Sequence, residues 1–219
     1  MNSPALTQCV AGISGSQRIY NLKHGGSLMI DDALGYVKSI LSQQLCHQFD
    51  SDGELVVVNN LVELNGSYPL KNQNKMVLTL INLEHETIKP FYGGRSASGP
   101  ENTNIRQIMP AVRFNLDVLF TAHFDDYHEA LKFLSATIAF FQASPTLVRQ
   151  KFPDMPDDLT QLQFEIENSS YEKTQNLWSA LGARYQPSII YKIRHIAIQS
   201  NQIAGETPVL QHVTNKVSP

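Results

Sequence analysis

Cysteine is scarce: the 219 residues contain two, Cys9 and Cys46, far apart and without a CxxC. Neither a disulfide framework nor a zinc knuckle can be assembled from such a pair. Charge is scarce as well. Asp, Glu, Lys and Arg make up 17% of the chain, 17 basic against 20 acidic, for a net charge of −3. A nucleic-acid-binding domain gathers Lys and Arg on one face, and this balance leaves little for such a footprint, so no nucleic-acid partner is expected. Long apolar runs are absent too. The longest helical one, Ala130 to Ala143, is interrupted by Lys132, Ser135 and Thr137. It falls short of the roughly 20 residues that span a bilayer, and no membrane insertion is expected. The stretch MNSPALTQCVAGISGSQRIYNLK has its first basic residue at Arg18 and no continuous apolar core, unlike a secretory leader. The expected place of synthesis and assembly is the cytoplasm.

Signatures of catalysis are also missing. GGRSASGP (Gly93 to Pro100) is glycine-rich, but it lacks the Gly-Lys-Ser/Thr ending of a phosphate loop and does not pass directly from a strand into a helix. Ser96 and Ser98 lie outside any GxSxG elbow. The densest group of chemically able side chains is HFDDYH, in which His123, Asp125, Asp126 and His128 offer imidazole and carboxylate ligands to a metal ion. A metal-dependent hydrolase built on these residues is one reading. The other follows from position: the hexapeptide straddles a strand-to-helix turn, where an Asp caps the helix through its backbone N–H groups. Capping accounts for the aspartates without a metal, so no catalytic residue, metal or cofactor is expected.

What is present is an orderly succession of elements in a chain long enough for one sizeable core. Residues 1–26, rich in Ser, Gly and Gln, read as an arm; 27–200 reads as the folded domain and 201–219 as a strand-like tail. After Ser27, a candidate N-cap, Ile30, Ala33, Leu34, Val37, Leu41 and Leu45 recur at helical spacing, with Asp31 and Asp32 in the first turn, where negative charge suits the dipole. Strands are expected at Leu55 to Leu64, Lys75 to Glu86, Met109 to Phe124, Leu162 to Asn168 and Ser188 to Gln199, with Pro208 to Val217 as a further one. Both faces of Lys75 to Glu86 are largely apolar, the pattern of a buried strand. Two more helices are expected, one from Asp125 or Asp126 to Ser144 and one from Tyr171 to Leu181. Between His85 and Met109 no period is visible, which reads as a long loop of the kind that is either functional or disordered. The order predicts an α+β fold: one mixed, mostly antiparallel sheet packed with about three helices.

The only tryptophan lies in LWSALGARYQPSIIYKIR, Leu177 to Arg194. Helical spacing puts Trp178 on one face with Leu177 and Leu181; Gly182 suits a left-handed C-cap, and Pro187 stops any continuation. The segment reads as a scaffold corner that fixes how a helix meets the next strand.

MIDDALGYVKSIL, VVVNNLVEL, KMVLTLINLEHE, RFNLDVLFTAHFDDYHEALKFLSATIAFFQ, LQFEIEN and LWSALGARYQPSIIYKIR follow one another in an order that resembles the tail-terminator, or cap, proteins of extracellular contractile injection systems. These are phage-tail-like particles of the antifeeding-prophage type. The resemblance runs from Met29 to Ile198. It implies a non-enzymatic protein that forms a hexameric ring on the distal end of the inner tube, stops tube and sheath growth and holds the last sheath ring. The implied partners are further copies of this chain, the inner tube protein and the sheath protein, in a particle that is released or membrane-anchored. An adaptor that recruits cargo to the particle is the alternative. Two sets of interface residues are expected. Tyr92, Gly93, Gly94 and Arg95 of the long loop are candidate tube contacts. Two strand-like segments with no evident partner, containing Ile189, Tyr191, Lys192 and Arg194 and then Val209, Leu210 and Val213, are candidates for addition to a neighbour's sheet edge.

Overall fold

The computed structural model of the protein describes residues 29–86, 95–97, 104–108, 112–157, 159–198 and 203–208. Helix α1 (Met29–Phe49) opens the fold with Asp31 and Asp32 in its first turn. It buries Ala33, Leu34, Val37, Leu41 and Leu45, the residues whose spacing predicts the helix. Strand β1 (Val56–Val58) follows and is shorter than the expected Leu55 to Leu64. Side chains explain the early stop. Asn72, 1% exposed, accepts from Asn59 Nδ2 at 2.9 Å and donates to the Asn60 carbonyl at 2.8 Å. Thr79 Oγ1 donates to the Asn59 carbonyl at 2.7 Å. With these groups engaged, the chain leaves the sheet through a turn at Glu63–Ser67 and a 3-10 turn at Leu70–Asn72.

Next come β2 (Lys75–His85), β3 (Arg95–Ala97), β4 (Asn104–Ile108), β5 (Val112–His123), α2 (Tyr127–Ala143), β6 (Thr146–Val148), β7 (Gln161–Ile166), α3 (Tyr171–Leu181), β8 (Ser188–Ile198) and β9 (Ile203–Pro208). The main sheet has the order β1-β2-β5-β8-β7-β6, with β1 parallel to β2 and every other pair antiparallel. The fold is thus α+β with a mixed sheet, as the order of elements predicts. A second, three-stranded antiparallel sheet has the order β3-β4-β9.

That second sheet corrects the expectation of an unstructured loop between His85 and Met109: Arg95–Ala97 pairs with Ile105–Gln107. It also shifts the terminal strand, which lies at Ile203–Pro208 beside β4; Val209 to Val217 falls outside the described residues. A further correction concerns β8. Ile189 to Gln199 reads as a strand without a partner, yet β8 is interior, paired with β5 on one side and β7 on the other. The β5 side is paired from Ser188 to Ile198 and the β7 side from Tyr191 to Arg194. Finally, β2 is buried only from Met76 to Thr79; a register shift between Leu80 and Asn82 follows, and beyond it the strand is exposed.

Alternating side chains divide the main sheet into two faces. On the inner face Met76, Leu78, Leu116, Val118, Phe120, Tyr191 and Ile193 meet α1 and α2 in one core cluster. Phe141 of α2 stands 5.5 Å from Phe120, 5.0 Å from Tyr191 and 4.3 Å from Phe164 between ring centroids, in edge, tilted and stacked arrangements. On the outer face Val57, Leu61, Val77 and Leu119 meet Trp178 of α3 in a smaller cluster.

Candidate interaction surface

The scaffold corner is built as its residues require. Ser170 caps α3 by accepting from Lys173 N, and Gly182 closes the helix at φ 66°, ψ 20°. That left-handed conformation suits glycine, which has no Cβ to clash. Trp178 is 5% exposed, and Leu177, Leu181 and Ala183 pack around its cluster. The Pro187 carbonyl accepts from Ala122 N at 2.9 Å, so the proline that stops the helix also starts the pairing of β8 with β5.

The HFDDYH corner divides its side chains among separate tasks. Asp126 caps α2, accepting from His128 N at 2.9 Å. Asp125 accepts from Gln73 and Asn74 side chains at 3.2 Å each, and its own N–H donates to Asn74 Oδ1. His123 pairs through Nδ1 with Gln186 Oε1 at 2.9 Å and stacks on Tyr68 at 5.4 Å. His128 lines a shallow groove between α1 and α2 with Phe49 and Leu131. Among the described residues no three His, Cys, Asp or Glu side chains come together as a metal site.

The charged part of the surface lies on the outer face beyond α3. Asn82, Asp117, Lys192 and Glu165 stand opposite one another on β2, β5, β8 and β7, forming one row across four strands. Lys192 Nζ lies 3.0 Å from Glu84, 3.7 Å from Glu167 and 3.8 Å from Asp117. Its hydrogen bond to Glu84 holds its pKa above the ordinary lysine value, against the opposing effect of burial. Asp117, 7% exposed, accepts from Asn82 Nδ2 at 3.0 Å. Arg194 meets Glu165 at 2.7 Å.

Of the expected interface residues, Lys192 stands in this row and Arg194, opposite Gln163, reaches it through Glu165. Tyr191 points the other way: it is 2% exposed in the inner core, where burial pushes its hydroxyl pKa up to about 12. Ile189 packs at the edge of that core. Tyr92, Gly93, Gly94, Val209, Leu210 and Val213 lie outside the described residues, and Arg95 begins β3. Sequence reasoning missed Asn82, Glu84, Asn115, Asp117, Glu165 and Glu167. The available signal was the polar residue at every second position of β5, which reads as an ordinary solvent face until neighbouring strands are known.

Fold and surface together define an α+β domain with a mixed six-stranded sheet, helices on both faces and no metal cluster among the described residues. The family model of the Pvc16 N-terminal domain matches residues 36–212, and the chain belongs to that family. The fold is similar to that of the PVC sheath/tube terminator of an extracellular contractile injection system in its extended state, with a TM-score of 0.58 and 14% identity over 90% of this chain and 65% of that one. It is also similar to the anti-feeding prophage cap, a tube-terminating cap, with a TM-score of 0.54 and 14% identity over 89% of this chain and 63% of that one. The chain therefore spans less than two thirds of either structure's length. No curated protein matches the sequence. The resemblance read from the sequence holds at the level of both family and fold. Among the described residues no helix is long and apolar enough to cross a membrane.

Proposed function

We propose that this protein is a structural cap that ends the inner tube and sheath of a contractile injection system, as a hexameric ring at the distal end of the particle. The observation that carries the reading is the family match over residues 36–212, supported by the fold it shares with two terminators. A ring of identical subunits needs a heterologous interface that closes, and a low charge fraction suits a chain with several protein neighbours. Its partners are then the inner tube and the sheath, and its role requires neither catalysis nor a cofactor. The outer edge of β9 has no strand partner among the described residues, which supports strand addition at the C-terminal end, where residues 201–219 form a strand-like tail joined to the second sheet through β9 and including Val209, Leu210 and Val213. Tyr92 to Arg95, leading into β3, are the proposed tube contact, and residues 1–26 a separate arm.

Electron microscopy of particles from cells with and without the gene tests the reading. Overlong tubes or unsheathed ends are expected without it; particles of normal length with a complete sheath would overturn it and favour an adaptor. Deletion of Thr207 to Pro219 is expected to lower cap retention on purified particles, and unchanged retention removes the tail from the proposal.

A further inference from the structure

Asn65-Gly66 is the only Asn-Gly pair in the sequence. It stands at the tip of the turn that takes the chain out of the main sheet after β1, and every residue from Glu63 to Ser67 is exposed. Glu63 N donates to Ser67 O at 2.8 Å and Gly66 N to Glu63 O at 2.9 Å, which closes the turn. Gly66 sits at φ 81°, and a Cβ there would meet nothing within 4 Å, so backbone conformation rather than crowding calls for glycine. Solvent has free access to both residues.

Two donors converge on the Asn65 side-chain carbonyl. Ser67 N lies 2.8 Å and Ser67 Oγ 2.7 Å from Oδ1. A backbone N–H only donates, which puts the oxygen of the amide, and not its nitrogen, on that side. The hydroxyl has one proton, and 2.7 Å against 3.3 Å to Glu63 Oε2 assigns it to Asn65. The two donors polarise the carbonyl and stand where negative charge develops when a nucleophile attacks Cγ. Gly66 N is that nucleophile: it is next in the chain, no Cβ obstructs it, and a single exposed hydrogen bond holds it back.

We propose that Asn65 is a self-modification site, losing its side-chain amide by attack of Gly66 N without an enzyme. Solvent base removes the Gly66 N–H proton, the N–Cγ bond forms, and the carbonyl electron pair moves onto Oδ1 between the Ser67 donors. The pair returns as the Cγ–Nδ2 bond breaks, and the nitrogen leaves as ammonia with a proton from water. Water then opens the succinimide at Cγ to give aspartate, or at the backbone carbonyl to give isoaspartate. Nothing is oxidised; water enters and ammonia leaves. The product puts a new carboxylate beside Glu63, and isoaspartate adds a methylene to the main chain inside the turn. Both oppose the turn that leads into Tyr68, whose hydroxyl accepts from Arg184 N at 3.0 Å and whose ring stacks on His123. Conversion therefore loosens the contact between this turn and the scaffold corner.

The test incubates the whole folded chain, apart from any particle, over a pH series, so its outcome is independent of the cap reading. Peptide mapping by mass spectrometry follows, with fragmentation that separates isoaspartate from aspartate. Digestion in heavy-oxygen water marks any conversion that occurs after unfolding, so only unlabelled product counts. Asn168, also exposed and followed by Ser169, is the internal comparison. Asn65 is expected to convert at least about tenfold faster than Asn168, because Ser169 carries the Cβ that Gly66 lacks. Its rate is expected to rise by up to about tenfold per pH unit as solvent base increases. Ser67→Ala is expected to slow conversion about threefold by removing one donor, and Ser67→Thr, which keeps the hydroxyl, to restore it. A merely structural role for Ser67 gives the opposite sign, since a loosened turn frees Gly66 N. Equal rates at Asn65 and Asn168, a rate independent of pH, or a Ser67→Ala chain that converts as fast as the parent would each overturn the proposal.

Discussion

Tyr191 and Lys192 are neighbours in the chain and belong to different environments. Tyr191 enters the aromatic core under α1 and α2; Lys192 stands on the opposite face among carboxylates. Both hold their protons beyond the ordinary range, for opposite reasons. Burial makes the tyrosinate unfavourable, whereas the Glu84 hydrogen bond makes the ammonium favourable. One face is thus fixed by exclusion of water and the other by pairing of charge. Helices α1 and α2 cover the inner face, and α3 covers the apolar part of the outer one.

The comparison can be broken most severely at the two large aromatics. Phe120→Ala, at 0% exposure in the inner core, is expected to destabilise the fold by about 4 kcal/mol in chemical denaturation. Trp178→Ala should lose less, about 3 kcal/mol, because half-buried Leu177, Leu181 and Ala183 can settle into the space. A larger loss at Trp178 would reverse the ranking of the faces. Lys192→Ala leaves the Asp117 carboxylate without its cation and is expected to lose about 2 kcal/mol, below the figure for wholly buried pairs because the row meets solvent. Adding Asp117→Asn should recover part of that loss; full additivity would show that the two do not interact.

The pH dependence sharpens the contrast. Tyr191 has a folded-state pKa raised from 10.0 to about 12, so its contribution is present below pH 10 and is lost as pH rises through that window, when the unfolded chain gives up the proton first. Tyr191→Phe should remove up to about 2 kcal/mol of that alkaline loss, read as the difference between the two proteins' denaturation curves. Lys192, also raised, loses its contribution in the same direction, so only the difference between variants isolates the tyrosine. The smallest effects are expected at the helix ends that serve each face. Asp126→Ala on α2 and Gly182→Ala on α3 should each cost about 1 kcal/mol, one by removing a cap and one by forcing a Cβ into the left-handed region. Unchanged melting temperatures would show that neither end limits its helix.

Much of this arrangement can be read locally. Helix α3, from the Tyr171 start to the Gly182 cap, coincides with its expected bounds because periodicity and capping chemistry lie within a few residues. The Asp126 cap is legible for the same reason. What was not legible is pairing. Nothing within Ile189 to Gln199 shows that Tyr191 to Arg194 are paired on both sides, since that depends on β5 and β7 far away in the chain. Asn115 and Asp117 read as solvent-facing because alternation reports a face and not what lies beside it. Strand β1 reads longer than it is because Asn72 and Thr79, which end it, are distant in sequence.

The three consecutive strands β2, β5 and β8 of the main sheet are 11, 12 and 11 residues long, and β5 runs antiparallel to both of the others. A force along β5 would therefore load both of its hydrogen-bond ladders in shear, so that many bonds must yield together instead of peeling one by one. Resistance to such a pull is set by the unfolding rate, not by equilibrium stability. A domain with this centre meets a pull along β5 with both ladders at once.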